Sequence, residues 1–133
     1  MASREEVESS VKEAVAEALA LDEDEVTDDA TLMDELGAES IDLLDILFRI
    51  EKSTGVKIQA SDLGDHIQGG IPDEEFGDEN EMVTRKGLDQ LAKVMPQIDP
   101  NEMEGKLKAE EVIQHFTVRN LVDMVAERGG VAA

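Results

Sequence analysis

The chain has 133 residues, with 33 Asp and Glu against 12 Lys and Arg, which gives a formal charge of -21. This charge excludes a nucleic-acid groove or an anionic membrane surface as the natural partner, because both bind through Lys and Arg. The absence of cysteine excludes a disulfide framework and a cysteine-based zinc or redox site. Because the net charge is strongly negative, partners are expected to present basic patches.

A first helix is predicted near the N-terminus. Ser3 followed three residues later by Glu6 has the pattern of a capping box, and small apolar residues then recur at helical spacing up to Leu19. The segment from Leu21 to Ala38 is acidic and aperiodic, so we expect a loop with a short turn at Leu32 to Leu36. The N-terminal residues are acidic and lack the apolar core of a signal peptide, which favours a soluble cytoplasmic protein with no membrane span.

The second predicted helix runs from Ser40 to Thr54, where Gly55 ends it. Its charged residues are spaced three and four apart and form one narrow stripe: Asp42, Asp45, Arg49 and Lys52. The other positions are mostly apolar: Ile41, Leu43, Leu44, Ile46, Leu47, Phe48 and Ile50. Because apolar residues surround most of this helix, we expect neighbours to cover it on most sides.

The last part of the chain is also predicted to be helical. A helix is expected from Thr84 to Met95, a short one from Ala109 to His115, and a final one that Thr117 caps and Gly129 ends. No segment alternates with period two for long enough to indicate a sheet. The sequence therefore predicts an all-α fold in a single domain over 1–133.

Ser40 lies at the predicted start of the second helix, and Gly37 before it permits a close backbone approach. One interpretation is an N-cap, since serine is favoured there. The other is a covalent attachment point, because a phosphodiester at this position would face the unpaired N–H groups of a helix N-terminus. A catalytic serine is disfavoured, because Ala38 and Asp42 occupy the places where a nucleophile elbow has glycine.

The acidic runs do not have the pattern of a calcium-binding loop. An EF-hand loop needs Gly at its sixth position and Glu at its twelfth. Starting at Asp22, these places hold Thr27 and Met33, and starting at Asp73, the sixth place holds Asp78. Neither register fits, so no specific metal site is expected.

The segment "LGAESIDLLDILFRIEKSTGVKI", from Leu36 to Ile58, resembles the central segment of acyl carrier proteins, which have Leu-Gly-x-Asp-Ser-Leu-Asp before an apolar helix. The preceding loop "VTDDATLMDEL" and the final "FTVRNLVDMV" resemble other parts of the same family. The resemblance implies a four-helix bundle in which Ser40 carries a covalent 4'-phosphopantetheine arm. The chain itself would then be no enzyme, because the reactive thiol belongs to the arm.

By the same resemblance, the second helix is the surface on which partner enzymes dock. Glu39 and Ile41 replace the usual Asp and Leu beside the serine, and Asp42 and Asp45 would steer basic partners toward it. The implied partners are a phosphopantetheinyl transferase, an acyl-ACP synthetase or fatty acid synthesis enzymes, and acyltransferases. The chain is expected to act as a monomer.

The sequence departs from an ordinary carrier by an additional helical insertion at about 59–108. Its Leu88, Leu91 and Met95 face either enlarges the acyl cleft, docks a dedicated acyltransferase, or adds a packing layer. The longer connection, with Glu110 and Glu111 shortly before Phe116, resembles specialised carriers that serve lipid A and related lipopolysaccharide acylation.

Two alternatives remain open. The first is an aminoacyl or peptidyl carrier, which the acidic second helix disfavours. The second is an unmodified acidic adaptor that binds basic partners, in which case Ser40 is only a helix cap.

Overall fold

The computed structural model describes residues 3–130. Over this part of the chain it is helical, without a named β-strand, which confirms the all-α prediction. Its α-helices are α1 (Arg4–Leu19), α2 (Ser40–Thr54), α3 (Ala60–Gln68), α4 (Asp73–Phe76), α5 (Arg85–Val94), α6 (Pro100–Met103) and α7 (Val118–Arg128). Two 3-10 helices lie at Glu23–Glu25 and Ala109–His115.

The chain divides into two compact units. The first contains the residues up to Ala60 together with those from His115 onward, and the second is Ser61–Gln114. Each unit is described by itself below.

In the first unit, α1 packs against α2 and α7. The predicted start of α1 is confirmed, because Ser3 Oγ accepts a hydrogen bond from the Glu6 N–H at 3.2 Å. Thr117 is the N-cap of α7 and Gly129 follows its last residue, as expected. The buried residues of α1 and α7 are aliphatic: Val7, Val11, Ala14, Val15, Ala16, Val118, Leu121, Val122, Met124, Val125 and Ala126.

In the second unit, α5 begins at Arg85, one residue after the predicted start. Thr84 is its N-cap, and Thr84 Oγ1 accepts a hydrogen bond from the Gly87 N–H at 3.1 Å. Two backbone hydrogen bonds tie the segment before α5 to the segment after α6. The Val83 N–H donates to the Leu107 carbonyl at 2.9 Å, and the Ala109 N–H donates to the Glu81 carbonyl at 2.8 Å. The sequence did not predict these contacts or the helices α3 and α4.

The predicted role of the α5 face in docking an acyltransferase is wrong. Leu88, Leu91 and Met95 are each fully buried within the protein. Apolar side chains without exposed area cannot contact a second protein unless the unit opens. They are core residues.

No helix within residues 3–130 combines the length and the apolar character needed to cross a membrane.

Candidate functional site

The loop before Ser40 is held by backbone hydrogen bonds to the residues at the start of α7. Asp28, Ala30 and Leu32 are the loop residues involved. The Arg119 N–H donates to the Asp28 carbonyl at 2.9 Å, and the Val118 N–H donates to the Ala30 carbonyl at 3.0 Å. The Leu32 N–H donates to the Phe116 carbonyl at 3.1 Å. A loop without regular secondary structure is therefore fixed to the bundle at three successive points.

The last residues before Ser40 turn sharply. The Ala38 N–H donates a hydrogen bond to the Leu32 carbonyl at 2.8 Å, and Gly37 between them has φ +77. Glycine enters this left-handed region without the steric cost that other residues meet. A Cβ at Gly37 would have open space around it. Glycine is therefore required here by the left-handed backbone conformation, and not by the close approach of another part of the backbone.

Ser40 is the first helical residue of α2, and Glu39 is the N-cap, which corrects the interpretation of Ser40 as a cap. The Glu39 N–H donates to Asp42 Oδ2 at 2.9 Å, and the Leu43 N–H makes the first bond along the helix, to the Glu39 carbonyl at 3.0 Å. Ser40 is exposed, and its hydroxyl forms no hydrogen bond with the other residues described. This hydroxyl is therefore accessible and is not needed to begin the helix.

α2 presents two apolar faces, of which only one is buried. Leu43, Ile46, Leu47 and Ile50 form the buried face. Ile41, Leu44 and Phe48 are 71%, 53% and 51% exposed, and their spacing of three and four places them on one side of the helix. The expectation that neighbours cover α2 on most sides is therefore wrong. We call Ile41, Leu44 and Phe48 the apolar stripe.

The acidic residues expected around Ser40 differ in how free their charges are. Glu39 is exposed, and Asp42 is half-buried. Asp45 is exposed but paired, because its Oδ1 lies 3.2 Å from Arg49 Nε. Nη1 of the same Arg49 lies 2.9 Å from Glu17 Oε2 on α1. Among residues 3–130, Glu39 and Asp42 beside Ser40 therefore have no ion pair, whereas the charge of Asp45 is offset by Arg49.

Among residues 3–130, no group of three or more His, Asp and Glu is arranged to hold a metal ion. Side-chain hydrogen bonds raise the pKa of Lys12 and of Arg85 and lower the pKa of Asp28, and these three residues lie away from Ser40 in the sequence. What the structure offers at Ser40 is a single accessible hydroxyl at a fixed helix start.

An exposed serine at the start of a helix, beside an unpartnered apolar stripe and acidic side chains, is the arrangement of a carrier protein with a covalent arm. Residues 9–67 match the family described as phosphopantetheine attachment site. This match contains Ser40, the whole of α2 and most of α3.

The relatives that this chain resembles in sequence are acyl carrier proteins, in agreement with the family match. The chain is 49% identical over 63 residues to the acyl carrier protein of Thermotoga maritima, covering 47% of this chain and 78% of the relative. It is 36% identical over 67 residues to the acyl carrier protein AcpXL of Brucella melitensis, covering 50% of this chain and 72% of the relative. For the acyl carrier protein of Petrotoga mobilis, the identity is 39% over 61 residues, which cover 46% and 72% of the two chains. No solved structure matches with comparable significance.

The chain belongs to the acyl carrier protein family. It is accordingly a carrier of acyl groups and not an enzyme, and its cofactor is a covalently attached 4'-phosphopantetheine. A member of this family interacts with biosynthetic enzymes and transferases.

Proposed function

We propose that Ser40 is the residue that carries the arm, and that the chain carries acyl intermediates in cytoplasmic fatty acid or lipid biosynthesis. The observation that supports this most directly is the exposed hydroxyl of Ser40, which is not engaged with any other described residue. It lies within the segment that matches the phosphopantetheine attachment site.

The residues around Ser40 suit a phosphodiester. Ser40, Ile41 and Asp42 precede the first intrahelical hydrogen bond, so their N–H groups lie at the positive end of the α2 dipole. Backbone N–H groups at a helix N-terminus stabilise phosphate. The bound arm supplies a thiol that holds the acyl group as a thioester. The role of this chain is to fix the point of attachment and to present it to partners.

Partners are proposed to dock on α2 around Ser40. Glu39 and Asp42 provide negative charge beside the attachment point, and Ile41 provides exposed apolar area. Asp45 is expected to contribute less, because Arg49 already pairs with it. The partners are a phosphopantetheinyl transferase, an acyl-ACP synthetase or fatty acid synthesis enzymes, and acyltransferases, each meeting a monomer of this chain. Charge complementarity of this kind mainly raises the association rate.

The acidic residue beside Ser40 offers a test of docking. Glu39→Gln removes one charge at the N-cap of α2, and we expect a lower rate of arm addition at low salt, with the difference shrinking as salt screens the charges. Glu23→Gln removes the same charge from an exposed position in the first 3-10 helix and serves as the control. Equal rates for the two variants at low salt would contradict docking at this end of α2.

The segment at about 59–108 is proposed to be an insertion within one acyl carrier domain. The compact unit Ser61–Gln114 supports this, because it contains its own buried residues, including Phe76, Leu88 and Leu91. A role in lipid A or related lipopolysaccharide acylation is the finer proposal for the pathway. The resemblance of the segment before Phe116 to carriers of that kind motivates it.

Acyl loading tests this function. The arm-bearing protein is incubated with an acyl-ACP synthetase, palmitate and ATP, and its intact mass is followed. We expect the mass to rise by one acyl group and to return after hydroxylamine, which cleaves thioesters. No loading under conditions in which a control carrier is loaded would contradict a fatty acyl cargo and would favour the aminoacyl or peptidyl carrier alternative.

A further inference from the structure

We propose that Phe48, at the end of the apolar stripe farther from Ser40, and the neighbouring Lys52 form a specificity element. They would bind a part of the partner's surface that carries a carboxylate. The proposal rests on the proposed function, because it concerns the enzyme that loads the acyl chain. It adds a site at which that enzyme must be acidic, although the carrier itself is strongly acidic.

Lys52 lies over the exposed ring of Phe48. Its Nζ is 4.8 Å from the ring centroid, and Phe48 is 51% exposed. A cation held over an aromatic face is attracted by the ring, which limits the positions that the ammonium group occupies. Phe48 and Lys52 therefore present apolar area and positive charge together.

Arg49, the other cation on this part of α2, is already paired with carboxylates. Arg49 pairs with Asp45 at 3.2 Å and with Glu17 at 2.9 Å. Lys52 forms no ion pair within 4.0 Å with any other residue in 3–130. Of the two cations on this part of α2, Lys52 is thus the one whose charge is not neutralised by a carboxylate.

A surface depression of about 420 Å³ accompanies these side chains. Its lining residues are Glu17, Asp45, Phe48, Arg49, Lys52 and Ser53. Two carboxylates and two cations balance there, which is unusual for a chain with 33 acidic and 12 basic residues. The depression is therefore a locally neutral, partly apolar site on a negative protein.

The occupant that fits is an apolar side chain of the acyl-loading enzyme with a carboxylate beside it. The apolar side chain would contact Phe48, and the carboxylate would pair with Lys52. At the other end of α2, Glu39 and Asp42 favour basic groups. The two ends together would fix the direction in which the enzyme lies along α2, because reversing it would bring like charges together.

The direction in which one charge-reversal variant changes the affinity distinguishes this proposal from docking by general acidity. Lys52→Glu replaces a positive charge with a negative one and so changes the net charge by two units. A partner that is basic along its whole docking surface would bind this variant more tightly. A partner with a carboxylate facing Lys52 would bind it more weakly.

The experiment measures acyl loading of the arm-bearing protein by an acyl-ACP synthetase with palmitate and ATP, with the carrier as the varied substrate. We expect Lys52→Glu to raise KM about threefold or more and to leave kcat unchanged, because a like-charge contact weakens docking alone. Lys57→Glu makes the same charge change at an exposed position outside α2 and is the control. It should leave KM within about a factor of two.

A second variant guards against a defect in folding, because Lys52 lies in the last turn of α2, where a cation favours the helix. Lys52→Gln removes the charge without adding repulsion. Its KM is expected between those of the wild type and Lys52→Glu, and its melting temperature only slightly below that of the wild type, since it loses one favourable charge at the helix end. A lower KM for Lys52→Glu, or equal KM values for Lys52→Glu and Lys57→Glu, would overturn the proposal while the loading itself still supported the carrier function. Absence of loading for the wild type would overturn both.

Discussion

Thr117 and Asn120 each accept a hydrogen bond from the other's backbone. The Asn120 N–H donates to Thr117 Oγ1 at 3.1 Å, and the Thr117 N–H donates to Asn120 Oδ1 at 3.0 Å. Both residues are buried. This capping box fixes the start of α7 beside the segment that anchors the loop before Ser40.

Thr117→Ala is expected to lower the free energy of unfolding by about 2 kcal/mol, because it removes a helix cap and leaves a buried N–H without its acceptor. Thr117→Ser keeps the hydroxyl and should recover part of this loss. Urea unfolding followed by circular dichroism measures both variants. Equal stability of the alanine variant and the wild type would show that the box contributes little.

Ser40→Ala, in contrast, is expected to change the free energy of unfolding by less than about 0.5 kcal/mol, as exposed substitutions away from caps usually do. Glu39 is the N-cap of α2, and the Ser40 hydroxyl bonds to no other described residue. The same urea titration applies. A loss as large as that of Thr117→Ala would mean that Ser40 stabilises α2 in a way that the structure does not show.

Gly87→Ala is expected to destabilise the second unit by about 2 kcal/mol, because the new methyl group would be overpacked. Its Cβ would lie 2.8 Å from the Phe76 carbonyl oxygen and 2.8 Å from Val83 Cγ1. Gly64→Ala is the matched control within a helix of the same unit, where a Cβ has no atom within 4 Å. It should stabilise by about 0.5 kcal/mol through helix propensity. Amide hydrogen exchange of α5 would detect the difference, and similar protection in the two variants would contradict the predicted clash.

Stability at acidic pH tests the pair between Lys12 and Asp28. Lys12 Nζ lies 2.9 Å from Asp28 Oδ1, and this hydrogen bond lowers the pKa of the Asp28 carboxyl below its ordinary value of 3.8, against the opposing effect of partial burial. A carboxyl whose pKa is lowered on folding adds stability above its ordinary pKa and loses it as the pH falls through the lowered value.

Lys12→Met should therefore destabilise the protein at about pH 7 by no more than about 0.5 kcal/mol, since Asp28 is largely solvated. The difference from the wild type should shrink as the pH falls below the ordinary pKa of Asp28. Lys57→Met removes one positive charge at an exposed position and controls for net charge. Urea unfolding at about pH 7 and below the ordinary pKa of Asp28 measures the effect. A stability difference between variant and wild type that stayed constant into the acidic range would contradict the pairing.

Sequence patterns predicted the longest helices well, because local chemistry decides them. Ser3 and Thr117 were predicted as caps that act on the N–H group three residues later, and the structure confirms both. Thr84, predicted as the first residue of its helix, caps α5 in the same way. Gly55 ends α2 with a left-handed backbone, also as expected.

Other features depended on contacts that are distant in the sequence. Which apolar residues of α2 are buried depends on where α1 packs, and the periodicity of α2 alone does not contain that information. The hydrogen bond from Val83 to Leu107 joins residues far apart in the chain, and it helps to form a core that includes Leu88 and Leu91. For the candidate site, the sequence predicted Ser40 at a helix start, but the cap at Glu39 and the exposed stripe required the structure.

The central claim is that Ser40 carries the phosphopantetheine arm. The most direct test is the intact mass of the protein after incubation with coenzyme A and a broad-specificity phosphopantetheinyl transferase. The wild type is compared with Ser40→Ala and with Ser53→Ala, which removes an exposed serine farther along α2. We predict one added arm on the wild type and on Ser53→Ala, and none on Ser40→Ala. An arm on Ser40→Ala, or none on the wild type while a control carrier is modified, would contradict the claim.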